Sequence, residues 1–322
     1  MKELKEVRFN ESEIILQDNL VRGSILPEKI SELTRNIIFK GDNVVDGPVF
    51  ANRMEIQKGN HVVHGAAFVQ QELYINSDAE GSVEFKKCVA SANSLVSRAA
   101  GCELTFYSDV NAKTLTLYNA FVAGSIYADE VSLDNCVVIG GVFATQELSL
   151  KNSTIGTFNA PTVRISGVIN LLLPSAFSIE RLAAAADTKM YNLSLADLGA
   201  LYKGEEQSSN SGRIEMSVDT DEVKSKLADE QIQKTLRSYT VVGKVLAADL
   251  LDTDKFQNHF LLTAASLGSQ LLKTYDFGLG KDGQPIRLDI PTIRKFFFEI
   301  NNGKIEIKPM DATFRVSDIS GR

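Results

Sequence analysis

Tryptophan is absent from this chain of 322 residues, and cysteine, histidine and proline are scarce. The three cysteines, Cys88, Cys102 and Cys136, show no Cys-x-x-Cys spacing. A sparse, odd-numbered set excludes a disulfide framework and is typical of reduced thiols in a cytoplasmic protein. The longest apolar run, residues 166–177, is interrupted by Pro174 and is too short to span a bilayer.

Excess positive charge is also missing, since the formal net charge is -7. A nucleic-acid-binding surface needs a basic face, so the composition argues against a nucleic-acid partner. The first 16 residues are charged and contain no apolar core of the kind that signal peptides carry. We therefore expect a cytoplasmic protein, with 44% hydrophobic residues to build its core.

A short repeat occupies the middle of the chain, with a step of about 15 to 17 residues. Each copy contains an apolar residue two places before an asparagine, then a glycine, an alanine and an alternating apolar triplet. The apolar positions are Leu117, Leu133, Leu150 and Ile165, the asparagines are Asn119, Asn135 and Asn152, the glycines are Gly124, Gly140 and Gly156, and the alanines are Ala128, Ala144 and Ala160.

This step is too short for a helical repeat, because two helices need about 30 residues or more. The apolar residues alternate with a period of two, which indicates strands, and glycine and asparagine tolerate turn dihedral angles. The repeat predicts a mainly β fold, a β-solenoid whose coils stack about 4.8 Å apart. Leucine then lies on leucine and asparagine hydrogen-bonds to asparagine. Turn formation explains the asparagines better than a ligand-binding ladder does.

Earlier copies of the repeat are looser. Residues 47–56 and 65–75 fit most of it, whereas the register drifts over residues 81–115. The segments Val-Glu-Phe, Leu-Val-Ser and Leu-Thr-Phe in that stretch are strand-like, but the pattern does not place them. Such drift is expected where loops are inserted at the corners of a coil.

Residues 124–156 and 163–179 resemble the bactofilins, a bacterial family of polymer-forming cytoskeletal proteins. The resemblance covers roughly residues 40–180. It implies a right-handed triangular β-helix that polymerises end to end without nucleotide and acts as a scaffold, often near the membrane. The sequence departs from the family in having about 140 further residues and in lacking an evident membrane-attaching segment at its N-terminus.

The composition divides the chain into four parts. We predict an N-terminal extension or cap over residues 1–40, a bactofilin-like solenoid over 41–180, a transition and linker over 181–212, and a smaller mixed α+β domain over 213–322. The segment 205–213 is polar and serine-rich, which is typical of a linker. The last domain would recruit another protein or cap an open coil end.

Residues 178–204 combine an alanine-rich, helix-like run with an alternating segment, and we expect them to form a cap of the solenoid or a transition. In the last domain, Asp252 or Asp254 predicts the start of an amphipathic helix. Residues 295–309 alternate like strands, and the Asn-Asn-Gly sequence at 301–303 indicates a hairpin within them.

The sequence contains only weak matches to catalytic, cofactor-binding and metal-binding motifs. The Gly-x-Gly-x-x-Gly sequence at 278–283 follows a helix-like segment and precedes a strand-like one, which is the wrong order for a dinucleotide site. His61 and His64 lie three apart, so on a strand they face opposite sides, and His259 belongs to another domain. The Asp-Thr-Asp sequence at 252–254 lacks the later calcium-loop residues. The sequence predicts no catalytic residue, cofactor site or metal site.

Three hypotheses remain. The preferred one is a non-catalytic cytoskeletal scaffold that self-associates through its solenoid, with membrane association left open. The second is a left-handed β-helix acyltransferase with His64 as the only available catalytic histidine. The third is a binding module that uses an aromatic row beside the alanine positions, formed by Phe50, Phe68, Tyr127, Phe143 and Phe158. Internal or lateral packing explains that row better than ligand binding does.

Overall fold

The computed structural model describes residues 1–28, 35–172, 181–185, 188–192, 214–217 and 290–302. Parallel coils form a β-solenoid of about nine turns, which confirms the prediction of a mainly β solenoid. The chain divides into two compact units, Met1–Val138 and Ile139–Arg322.

Strands account for most of the described residues. In chain order they are β1 (Lys2–Leu4), β2 (Val7–Phe9), β3 (Glu13–Gln17), β4 (Asn19–Val21), β5 (Ile25–Pro27), β6 (Asn36–Lys40), β7 (Asn43–Val45), β8 (Val49–Ile56), β9 (Gly59–Val63), β10 (Ala67–Ile75), β11 (Gly81–Phe85), β12 (Val89–Ser91), β13 (Ser94–Ser97), β14 (Cys102–Phe106), β15 (Val110–Asn111), β16 (Thr114–Tyr118), β17 (Ala120–Val122), β18 (Ile126–Asp134), β19 (Val137–Asn159), β20 (Thr162–Leu171), β21 (Arg181–Ala184), β22 (Lys189–Asn192) and β23 (Ile214–Ser217), followed by the helix α1 (Ile290–Asn301).

In the first unit the strands form three parallel ladders. The first ladder runs β1, β4, β7, β9, β11, β14 and β17. The second runs β2, β5, the start of β8, the start of β10, β12, β15 and the start of β18. The third runs β3, β6, the end of β8, the end of β10, β13, β16 and the end of β18. Each turn of the chain therefore contributes one strand to each ladder.

The core lies inside the coils, because alternate residues along each strand point inward. In β9, for example, His61 and Val63 are buried while Val62 between them is only half-buried. Phe85 and Phe106 occupy paired inward positions in successive turns, and their rings stack with centroids 5.3 Å apart. Stacking of like residues thus builds a continuous apolar column.

The number of residues per turn varies along the first unit. It is 24 between Asn19 and Asn43, 22 between Asn60 and Ser82, and 16 between Asn119 and Asn135. The extra residues lie at corners between strands. This variation explains the drift of the sequence pattern over residues 81–115, whose three unplaced segments belong to β11, β13 and β14.

The first 40 residues, predicted as an extension or cap, contribute the strands β1 to β6. These strands pair in parallel with one another and with later strands, in the same three ladders as the rest of the unit. They lack the regular glycines and alanines of the later copies, so the sequence pattern gave no indication of them.

In the second unit, β19 pairs in parallel with β20, and β20 pairs with β21 and β22. The alanine-rich segment predicted as helical is thus a strand over residues 181–184, and that prediction was wrong. Pairing of the strand with residues 162–165 of β20 outweighs the helical propensity of alanine. The strand β23 then pairs antiparallel with β22, which ends the parallel order in the described residues.

The hairpin predicted over residues 295–309 is also wrong where the structure describes it, because residues 290–301 form α1. Ile290, Ile293, Phe297 and Ile300 are buried and recur at helical spacing, three to four residues apart. The amide of Asn302 donates to the carbonyl of Phe298 at the helix end. Asn301 and Asn302 therefore lie at a helix terminus, where asparagine is one of the favoured residues.

Several other predictions fall outside the described residues. These are the linker at 205–213, the helix starting at Asp252 or Asp254, the glycine-rich sequence at 278–283 and the position of His259.

Candidate functional site

The predicted asparagines occupy the corner between the third and first ladders. Asn119 and Asn135 have φ values of 54° and 51°, and the Nδ2 of Asn135 donates to the Oδ1 of Asn119 over 3.3 Å. In the second unit, Asn152 has φ 45° and its Oδ1 accepts a hydrogen bond from the amide of Val168. Both the turn assignment and the asparagine-to-asparagine hydrogen bond are confirmed.

The same corner carries a second polar ladder in earlier turns. The Oδ1 of Asp18 accepts from the amide of Asp42, and the Oδ1 of Asp42 accepts from the amide and the Nδ2 of Asn60. The Oδ1 of Asn60 in turn accepts from the hydroxyl of Ser82. The two hydrogen bonds from Asn60 lower the pKa of the Asp42 carboxyl. Sequence reasoning missed these residues because no repeated leucine precedes them.

The predicted apolar register is confirmed within each unit. Leu117 pairs with Leu133 in the first unit, and Leu150 pairs with Ile165 in the second. All four side chains are buried. The corner alanines Ala128, Ala144 and Ala160 are buried as well, as expected for small residues at crowded positions. These residues stabilise the coil and offer no access to a ligand.

Aromatic residues on the outside of the second ladder form a pair rather than a long row. Phe50 and Phe68 stack with ring centroids 4.9 Å apart. The same outward row continues with Ala90, Asn111 and Tyr127, so two non-aromatic residues separate the pair from the tyrosine. In the second unit, Phe158 is buried and Phe143 is half-buried. The two phenylalanine rings pack on each other, in line with the preferred interpretation.

His61 and His64 face opposite sides, as predicted: His61 is buried and His64 is exposed. The Nδ1 of His61 lies 3.3 Å from the Nδ2 of Asn43, and its Nε2 lies 3.2 Å from the carbonyl of Gln57. Burial lowers the pKa of the His61 imidazole. A neutral ring that accepts from Asn43 and donates to Gln57 satisfies both contacts. His61 is thus a hydrogen-bonded core residue.

The three cysteines are free thiols, as expected. Cys136 is fully buried, and burial raises the pKa of its thiol to about 12. Its sulfur lies 3.4 Å from the carbonyl of Leu117 and 3.3 Å from that of Asp134. A thiol with so high a pKa is not a nucleophile near neutral pH.

The first turn differs from the others in the exposure of its core. Three of its inward-facing residues are half-buried, whereas their partners one turn later are fully buried; Phe9 and Leu16 of the same turn are already buried. The pairs are Leu4 with Val21, Val7 with Ile25, and Ile14 with Ile37. The first turn therefore presents part of the apolar core at the end of the ladder.

The backbone of the first turn is open on the same side. The amide of Val7 donates to Ser24 and the carbonyl of Phe9 accepts from Glu28, both over 3.0 Å, so these residues bond to the second turn. Because hydrogen-bonding groups alternate along a strand, the amide and carbonyl of Arg8 point the other way. Within the described part of the chain, β1, β2 and β3 have no strand partner on that side.

The second unit is covered on one outer face. The hydroxyl of Thr154 in β19 donates to the Oδ1 of Asn301 in α1 over 2.6 Å, and it accepts from the Nδ2 of Asn170 in β20 over 3.1 Å. Thr154 and Asn170 alternate with inward-facing residues along their strands, so their side chains point outward. Both are nevertheless buried. The helix α1 therefore packs on the outside of these coils.

The described residues define a β-solenoid protein with an open first turn. No protein-family model, curated protein or solved structure matches the chain. Among the described residues, no helix is long and apolar enough to cross a membrane.

Proposed function

We propose that the protein is a non-catalytic scaffold that self-associates through the open first turn of its solenoid. One observation carries this proposal: the core side chains of Leu4, Val7 and Ile14 in the first turn are partly exposed, while their equivalents in the next turn are fully buried. Burial of these side chains against a second copy removes apolar surface from water.

Backbone groups favour the same contact. An unpaired strand edge presents a row of amides and carbonyls that pairs readily with another edge. The first turn has three short edge strands, β1, β2 and β3, so a second copy would gain hydrogen bonds in all three ladders. The exposed side chain of Met1 adds apolar surface near this end.

The strand pairing of β22 favours association through the first turn. Because β23 runs antiparallel against β22, β22 offers no further parallel position in the described residues. A chain with one open end forms pairs, whereas a chain with two forms filaments. We therefore propose pairing through the first turn, with residues 213–322 available to recruit another protein.

The bactofilin-like role and the cytoplasmic location belong to this proposal. The solenoid and the free thiols support it, because β-solenoid scaffolds and reduced cysteines are both compatible with a bacterial cytoplasm. An acyltransferase role for His64 has no support in its surroundings, since this side chain is exposed at a corner between β9 and β10.

The test compares Arg8→Pro with Arg8→Ala in the full chain by sedimentation velocity and negative-stain microscopy. Proline removes an amide that faces the open side and costs no hydrogen bond to the second turn. Alanine removes the same side chain, with its ion pair to Glu6, but keeps the amide. We expect Arg8→Ala to associate like the unaltered chain and Arg8→Pro to lose this association. Equal association of the two variants, or none in the unaltered chain, would contradict the proposal.

A further inference from the structure

The outer side of the second ladder carries a surface without charge in turns two to five. Its residues are Leu26, Pro48, Phe50, Ala66, Phe68 and Ala90, which we call the uncharged face. They alternate with the buried residues of β5, β8, β10 and β12, so their side chains point outward. All are at least partly exposed, and Phe68 retains 38% of its accessible surface.

We propose that the uncharged face binds the same face of a second copy of this chain. A contiguous apolar surface of this kind marks an interaction site. A partner with a charged surface would lose hydration there without gaining an ion pair. Two flat sheets pack well when their strands are nearly aligned and their faces lie about 10 Å apart. A second copy supplies an uncharged sheet face with the same strand spacing.

Charges at the two borders of the uncharged face specify the arrangement. At the border that follows the first ladder, Arg22 lies in the second turn and Asp46 in the third. At the opposite border, Glu28 lies in the second turn and Arg53 in the third. The two borders therefore carry opposite charges at each of these levels.

A two-fold axis parallel to the stacking direction places one border of the first copy over the other border of the second. Arg22 then faces Glu28, and Asp46 faces Arg53, each contact occurring twice because the interface is symmetric. Within one chain, Arg22 already contacts Glu3 over 3.0 Å and Asp46 over 3.4 Å, and Arg53 contacts Glu72 over 2.6 Å. Exposed ion pairs of this type contribute little to stability, so their rearrangement costs little.

This contact is independent of the first turn, because no residue of the uncharged face belongs to β1, β2 or β3. It adds a side-to-side interface to the end-to-end one. The side-to-side interface is measured alone when the variants below are made in the Arg8→Pro background, in which the proposed association through the first turn is removed.

The decisive test uses Asp46→Arg and Arg53→Glu in separate full-length chains, measured by sedimentation equilibrium. Each variant alone brings like charges together twice, so we expect its dimer to weaken by about tenfold or more. An equal mixture restores opposite charges at both contacts, and the dimer should return at the strength of the unreversed chain. A mixture that behaves as the sum of its two components, or a parent chain that stays monomeric at every concentration, overturns the proposal.

A matched pair of substitutions tests the face itself. Phe68→Lys places a charge at its centre, whereas Tyr127→Lys changes an outward residue of the same row beyond its edge, with nearly equal exposure at 37%. We expect only Phe68→Lys to abolish the side-to-side dimer. Equal effects of the two substitutions would contradict the assignment.

If Arg8→Pro chains do not fold, the same comparisons are made in the Arg8→Ala chain. They still show whether the mixture of Asp46→Arg and Arg53→Glu chains gains mass over either variant alone.

Discussion

Left-handed backbone conformations concentrate at one corner of the coil. Asp18, Asn119, Asn135 and Asn152 all have positive φ; the first three each follow a third-ladder strand directly, and Asn152 lies within β19. The side chain of each of these residues hydrogen-bonds to an adjacent turn, so one residue both reverses the chain and links two turns. Asparagine and aspartate tolerate this conformation better than other residues with a side chain do.

Asn135 allows the two roles to be separated. Asn135→Ala loses both the tolerance of positive φ and the hydrogen bond to Asn119, and we expect it to reduce the free energy of unfolding by about 1–2 kcal/mol. Asn135→Gly loses only the hydrogen bond and should cost less. Urea unfolding measures both. A glycine variant less stable than the alanine variant would contradict this assignment.

Leu133 tests the core register. Its side chain is buried and paired with Leu117, so Leu133→Ala should lower the free energy of unfolding by about 2–5 kcal/mol. The neighbouring Ser132 points outward, and Ser132→Ala should change stability by less than about 0.5 kcal/mol. Similar effects of the two substitutions in chemical denaturation would show that the inward and outward positions are misassigned.

Burial of His61 predicts a pH dependence of stability. Since its pKa is lowered in the folded state, the unfolded chain binds more protons around and below pH 6.5. The stability present above pH 6.5 is therefore lost progressively as the pH falls towards the folded-state pKa. Urea unfolding at pH 7.5 and 5.5 should show the lower stability at pH 5.5, and His61→Gln should reduce the difference. An unchanged difference in the variant would exclude His61 as its source.

At the scale of the strands and corners, glycine permits close approach between turns. A Cβ built on Gly65 would lie 2.2 Å from the backbone of Gly47 in the preceding turn. On Gly101, the nearest atom to such a Cβ is the Cγ of Glu80, a flexible side chain 3.3 Å away. Backbone cannot move aside as a side chain can, so the two glycines differ in what they tolerate.

We expect Gly65→Ala to destabilise the protein by about 1–3 kcal/mol, the usual cost of overpacking. Gly101→Ala should have a much smaller effect. Thermal unfolding of the two variants under one set of conditions makes the comparison. A tolerated Gly65→Ala substitution would mean that the turns are further apart at this corner than described.

The same corners decide how much of the fold could be predicted from the sequence. Leu117, Leu133 and their asparagines follow a constant step, so the pattern reveals strands, turns and register together. Between Asn60 and Ser82 the step is 22 residues, and inserted loops hide the pattern although the ladders continue. Local sequence does not reveal that an insertion preserves the stacking, because the stacking depends on contacts with other turns.

The helix α1 was not predicted from the sequence, for a related reason. Its phenylalanines have high strand propensity, yet Ile293, Phe297 and Ile300 lie on one buried side. The contact that places it joins Asn301 to Thr154, which lies 147 residues earlier. The open first turn could not be predicted either, because its residues carry no recognisable copy of the repeat.

At the scale of the molecule, stacking explains both stability and the proposed assembly. Within the first unit, each turn between the first and the last pairs with a turn on either side, so its strand backbone and its core residues are covered. The first turn is covered on one side only, among the described residues. The proposed end-to-end contact completes it, and the uncharged face provides a second, independent contact between copies.

Oxidation of a cysteine pair placed on neighbouring turns tests the stacking most directly. Thr116 and Ser132 are paired, outward-facing residues of β16 and β18, and a Thr116→Cys/Ser132→Cys chain is made in a Cys88→Ser background. In-register parallel strands bring paired Cα atoms to about 4.8 Å, within the range of a disulfide. We expect oxidation to form this disulfide within a single folded chain, and not in a Thr116→Cys/Ser82→Cys control, whose two positions lie in different ladders. Equal oxidation of both pairs, or of neither, would contradict the stacked coil.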